Sequence, residues 1–319
     1  MKFRFITILH NMELDSLKNR GTEIFPGARI SNGKKILDET LNTNLMRGTA
    51  GIHSIDEFEN KVYFYIDGEF EDINTKDEMD KIGTKYTFFF LRQAQLFIHY
   101  LWQIKDNNVY VRDGFLIAYK NHIEDGFTYK ASLSEVFSYS TLERKASIFT
   151  DEEISSAKKI FVPYTMDNFD EETFGGKYPN SDIFLKTKGS TRMDRAIYFV
   201  IGARRSSVFP MKIVHYCTAL ECLFTIGNQE ISHKIAERVA VMLGTSSKDK
   251  KELYNVVKTA YSIRSKIVHG QYLKSSDDEL ASISKELDNI LRQLIVRNHE
   301  VFSKDDKEAE HFFQDLIFG

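Results

Sequence analysis

With 319 residues the chain is long enough for about two domains and a sizeable buried core, which excludes a miniprotein stapled by disulfides. Hydrophobic residues at 42% and charged residues at 28% lie in the globular range and exclude wholesale disorder, collagen-like repeats and coiled coil. Lys and Arg number 43 against 46 Asp and Glu, a net charge of −3, so the chain is not basic overall and any nucleic-acid site has to be local.

Residues 1–145 mix strand and helix signals and are expected to form a mixed α/β domain with antiparallel hairpins. FRFITIL (3–9), VYFYI (62–66) and FLIAY (115–119) are rich in β-branched and aromatic residues, as strands are. Two Asp-Gly pairs, Asp67 with Gly68 and Asp113 with Gly114, read as tight hairpin turns that use positive φ. Between them Phe90, Ala94, Phe97, Leu101 and Ile104 step by 4, 3, 4 and 3, one face of a helix expected to pack on the sheet. The stretch 55–82 carries ten acids against three lysines and reads as a solvated face.

Residues 146–186 read as a connector. It holds one short helix, EEISSAKKIF (152–161), followed by FGGKYPNSD (174–182), whose glycines, proline and turn formers suggest a hinge or surface loop.

From 187 to 319 the pattern is helical almost throughout, predicting an all-α bundle. A first helix spans 193–205, and Pro210 suits the first turn of a second that Gly227 stops. Ile231, Ile235, Val239 and Met242 mark a third helix ending at Gly244, and Ser247 can cap a fourth running toward Gly270. A fifth carries Leu280, Ile283, Leu287, Ile290 and Leu294, followed by an amphipathic tail around Phe312, Phe313 and Leu316.

Cys217 and Cys222 stand five apart on the second helix, where their side chains diverge too far to bridge, which fits a reducing compartment. The opening ITIL is shorter than the apolar core of a signal peptide, and AIYFVIGA is closed by Arg195 on one side and Arg204 with Arg205 on the other. The reading is therefore cytoplasmic, without a membrane span.

Several signatures carry nothing. GARISNGKK has five residues rather than four between its glycines and Lys35 where a phosphate loop needs a hydroxyl. His215, Cys217 and Cys222 lack a fourth zinc ligand and point apart around the helix. No HExxH, GxSxG or CxxC occurs, and no metal or cofactor is expected.

The informative segment is AYSIRSKIVHG (260–270). Leu253, Val257, Ala260 and Ile267 form an apolar stripe, and the position skipped in its last step is Arg264. A guanidinium on a packing face has to be paired or reserved for an anionic ligand. His269 follows five residues later, about 140° around the helix, so the two side chains meet on one substrate only through arginine's reach, a frayed last turn or a second subunit. An alternative stays open in which Arg264 pairs with a buried acid and His269 caps helical carbonyls. Glu221 sits beside the stripe Ile213, Cys217, Leu220 and Phe224. If the second and fourth helices pack side by side, it is the nearest candidate to hold Arg264, with exposure to solvent as the alternative. Residues 231–274 hold nine Lys or Arg against three acids, a local net of +6 that would draw phosphates.

RSKIVHG is similar to the Arg, four to six residues, His motif of HEPN domains, and with ALECLF (219–224) upstream it resembles the Apea-like HEPN branch of bacterial anti-phage defence proteins. The resemblance covers 187–319, where the helices also fall in the expected order. It implies a metal-independent endoribonuclease acting as a homodimer or higher homo-oligomer with a composite site. The ribose 2′-OH attacks the adjacent phosphate and leaves a 2′,3′-cyclic phosphate and a free 5′-OH. Arg264 and His269 match the two motif residues and Glu221 the acid of the LE pair, while Ser265 stands where many active members carry Asn, Asp or His. His269 would serve as general acid or base, Arg264 would stabilise the transition state, and Lys266 would attract the RNA backbone. Residues 1–145 become the sensor of a phage-derived trigger by elimination. Two other classes remain in view: a catalytically silent module that binds RNA or a nucleotide, and a helical dimerisation scaffold for the first domain.

Overall fold

A computed structural model describes residues 1–71, 75–166, 190–227 and 229–318. The chain divides into two compact units, Met1–Val136 with Lys145–Gly175 and Phe137–Arg144 with Gly176–Gly319. The glycine-rich stretch 174–182, expected to be a hinge or loop, lies outside the described residues.

The first unit is α+β. In chain order it contains β1 (Lys2–Ile8), β2 (Met12–Leu14), β3 (Thr22–Phe25), β4 (Ala28–Ser31), α1 (Lys34–Thr40), α2 (Asn44–Thr49) and α3 (Ile52–Asp56). It continues with β5 (Tyr63–Glu69), α4 (Lys76–Ile104), β6 (Asp113–Tyr119), β7 (Phe127–Ser132), β8 (Ser147–Phe149) and α5 (Asp151–Ile160). Six strands form one antiparallel sheet in the order β3-β4-β5-β1-β6-β7, and β2 pairs with β8 in parallel. The central strands are buried on both faces, as their continuous apolar runs require. On one face Phe3 stacks with Phe70 and with Phe90 of α4. On the other, Ile6, Ile8, Tyr63, Tyr65, Phe115 and Ile117 pack with Leu41, Met46 and Phe58 from the α1–α3 region.

The two Asp-Gly pairs are not turns. Asp67 and Gly68 lie within β5, opposite Arg4 and Phe3, and Asp113 and Gly114 open β6, opposite Ser132 and Ala131. Neither glycine uses positive φ. A Cβ on Gly68 would lie 2.5 Å from the Phe3 ring and one on Gly114 2.7 Å from the Phe5 ring, so both glycines make room for aromatic side chains crossing the sheet. The tight hairpin is β3–β4, turned at Pro26 and Gly27 with Gly27 at φ +83.

The second unit joins the non-helical segment Phe137–Arg144 to six α-helices among its described residues: α6 (Arg192–Arg205), α7 (Phe209–Phe224), α8 (Ile231–Leu243), α9 (Ser247–Val268), α10 (Asp277–Arg297) and α11 (Asp306–Phe318). Pro210 lies in the first turn of α7, and the N-cap of α9 is Ser246, not Ser247, its side chain accepting from the Asp249 N–H. α7 packs against α6, α8, α9 and α10. It buries Ile213, Tyr216, Cys217, Leu220, Leu223 and Phe224. Helix ends are closed by buried cations. Arg192 donates to the Thr225 carbonyl at 2.8 Å, Arg238 to the Phe224 carbonyl at 2.6 Å, and Lys212 to the Ala203 carbonyl at 3.0 Å. Each adds a donor at a helix C-terminus, where positive charge is favoured; the Ala203 carbonyl also accepts from the Ser206 N–H at 3.1 Å. Phe137–Arg144 belongs here because Ser138 donates to the Arg204 and Ser206 carbonyls while the Ser140 carbonyl accepts from Ser284 of α10.

Candidate active site

The site is built where α9 crosses α7. Val257, Ala260, Tyr261 and Ile263 are the buried residues of α9, and the Tyr261 hydroxyl donates to the Cys217 carbonyl at 3.2 Å. One helical turn onward on each helix stand Arg264 and Glu221, and this contact brings them together. The Arg264 Nη2 lies 3.5 Å from each Glu221 carboxylate oxygen, with side-chain exposures of 32% and 23%. That distance is the outer limit of a hydrogen bond. The Arg264 Nε is buried and has no acceptor among the described residues. Leu253 and Ile267, expected on the buried stripe, are half-buried, so the packing face is turned toward Tyr261.

Burial governs the neutral groups packed beside this pair. Burial, then the Cys217 thiol and the Glu221 carboxylate nearby, push the Tyr261 phenol far up. Burial, reinforced by Glu221 and opposed by Arg264, raises the Cys217 thiol, and burial raises Cys222 to about 11. Both cysteines are therefore neutral and unreactive near neutral pH.

His269 occupies the C-cap of α9 and is exposed. Gly270 follows at φ +65, its N–H bonding to the Ile267 carbonyl and the Gln271 N–H to the Lys266 carbonyl, a Schellman closure that fixes where the helix ends. Five residues of helix separate His269 from Arg264 by about 7.5 Å along the axis and about 140° around it. No side-chain hydrogen bond orients the imidazole among the described residues. Ser265 and Lys266 are exposed.

The basic segment divides into two sets. Arg238 is spent inside the unit, paired with Glu310 and lying over the Phe313 ring, and Lys258 donates to Ser232. Lys250, Lys251, Lys266 and Lys274 are exposed and supply the outward positive field. No group of three or more His, Cys, Asp or Glu with metal-binding geometry occurs among the described residues. Nor is any helix there long and apolar enough to cross a membrane.

No family model, no curated protein and no solved structure matches this chain. Sequence reasoning singled out Arg264, His269 and Glu221 but passed over Tyr261. Its position four residues after Val257, on the face toward α7, was the available signal.

Proposed function

We propose that the second unit is a metal-independent HEPN-type endoribonuclease serving anti-phage defence, with Arg264 and His269 as its catalytic residues. The observation that carries this reading is an arginine a third of whose side chain remains open while its nearest carboxylate stands at 3.5 Å, the outer limit of a hydrogen bond. Such a guanidinium keeps donors free for a phosphate, the anion its fork geometry matches.

In the proposed reaction the ribose 2′-oxygen bonds to the adjacent phosphorus and the bond from phosphorus to the 5′-oxygen breaks. The proton leaves the 2′-hydroxyl for a base and another is delivered to the departing 5′-oxygen. His269 is suited to one of these transfers because an imidazole carries both a donor and an acceptor nitrogen. Arg264 offsets the charge gathering on the phosphoryl oxygens, Glu221 holds Arg264 in place, Ser265 flanks it, and exposed Lys266 attracts backbone phosphate. Since His269 and Arg264 of one chain point different ways around α9, the composite cleft is assigned to a homodimer. The first unit, by elimination, would respond to a phage-derived trigger.

Purified protein incubated with RNA in chelator is expected to release fragments ending in 2′,3′-cyclic phosphate, and His269→Ala is expected to abolish them. Cleavage that survives His269→Ala overturns the assignment. The freedom of the His269 imidazole and the presence of Ser265 favour a second reading, a silent RNA-binding module. It predicts RNA binding lost with Arg264→Ala and no fragments from the wild type.

A further inference from the structure

Beyond Gly270 the chain leaves α9 as a non-helical strip, and its second residue, Tyr272, is 85% exposed. A tyrosine this free is unusual in its setting: Tyr261, eleven residues earlier, is buried and hydrogen-bonded to the body of the unit. Tyr272 is flanked in sequence by exposed Lys266 and Lys274. Three extended residues span at most about 11 Å, so Tyr272 stays within roughly that distance of His269, backbone to backbone. An open aromatic ring among cations is the combination that holds single-stranded nucleic acid, the cations following the phosphates while the ring stacks on a base. A duplex offers no such contact, because its bases are already stacked inside the helix.

We propose that Tyr272 is a stacking platform for an unpaired base of the RNA bound by the second unit. This inference rests on the ribonuclease reading and names a further residue that contacts its substrate.

The test uses the full chain with His269→Ala, so that RNA is bound and not cut, and fluorescein-labelled RNA in two forms, an unstructured strand and a fully paired hairpin. Stacking predicts tighter binding of the unpaired strand. It predicts that Tyr272→Ala weakens that binding about 5- to 150-fold while leaving the duplex little changed, and that Tyr272→Phe retains the parent affinity. If the strand is bound and Tyr272→Ala binds it as tightly as the parent, the inference falls and the ribonuclease reading stands. If Tyr272→Ala instead converts an oligomer to a monomer in sedimentation, the ring contacts a second copy and the inference is likewise overturned. If the parent binds neither RNA, the underlying reading has failed.

Discussion

Glu221→Gln removes the carboxylate charge facing Arg264 while keeping the side chain's shape and one acceptor oxygen. Unit charges 3.5 Å apart attract by roughly 5 kcal/mol at an effective dielectric of about 20. Much of this is offset, because side chains 32% and 23% exposed still reach water. Exposed pairs are worth about 0.2–1 kcal/mol, and breaking a buried one costs about 3–5. The Glu221–Arg264 pair falls between, at about 1–3 kcal/mol. In a unit of about 150 residues each kcal/mol moves the melting temperature by about 2–4 °C, so a midpoint loss near 2 kcal/mol lowers it by about 4–8 °C. Thermal melts followed by far-ultraviolet circular dichroism measure this, with RNA cleavage assayed alongside. Arg264→Met added to Glu221→Gln is expected to recover part of the stability and none of the activity, since an unpaired guanidinium is what the single change leaves behind. If Glu221→Gln melts and cleaves like wild type, the carboxylate does not hold the arginine and the argument is refuted.

Arg238→Met deprives the Phe224 carbonyl and Glu310 of their buried donor, and a loss of about 2–4 kcal/mol is expected, with α11 released to chymotrypsin at Phe312 and Phe313. Unchanged protease resistance would show that packing alone holds α11. Gly68→Ala forces a methyl against the Phe3 ring and is expected to cost about 1–3 kcal/mol, read from Trp102 fluorescence in the same unit. Gly48→Ala, in α2 with open space around it, should be neutral or stabilising by up to about 1 kcal/mol, and equal effects at the two positions would contradict the close-approach account. Burial holds the His215 imidazole below its ordinary value, so the unfolded chain takes up a proton at higher pH than the folded one. This contribution to stability is complete above about pH 6.5 and is lost as pH falls through that value toward the folded one. The melting temperature of His215→Asn should therefore fall less steeply below about pH 6.5 than that of wild type, and parallel profiles would exclude the mechanism.

Local signals in the sequence determined most of the secondary structure and one half of the site. Enrichment in β-branched and aromatic residues in 3–9, 62–66 and 115–119 suffices for strands because that preference is carried residue by residue, and the step of three and four suffices for α4, α9 and α10. Pro210 and Gly270 mark helix ends for reasons internal to the backbone: a missing N–H, and access to positive φ. An arginine beside an apolar stripe is legible as an anomaly for the same local reason.

What depends on contacts between distant residues was not legible. Asp-Gly in β5 and β6 carries a turn's composition, but Phe3 and Phe5, more than sixty residues away, need the space that a missing Cβ leaves. The +6 segment reads as one field, yet Arg238 turns inward to Phe224 and Glu310, a sink that exists only once α7, α8 and α11 have assembled. Nothing in Phe137–Arg144 announces membership of the helical unit, which Ser138 and Ser140 earn through carbonyls and hydroxyls on α6 and α10. The same holds at the site. The sequence could name Glu221 and Arg264 as partners only on condition that α7 and α9 pack together, which the packed unit provides, with the Tyr261 hydroxyl donating to the Cys217 carbonyl one turn before the pair. Helical phase is a property of neighbours in the chain, whereas the pairing of one helix face with another is decided by the whole packed core.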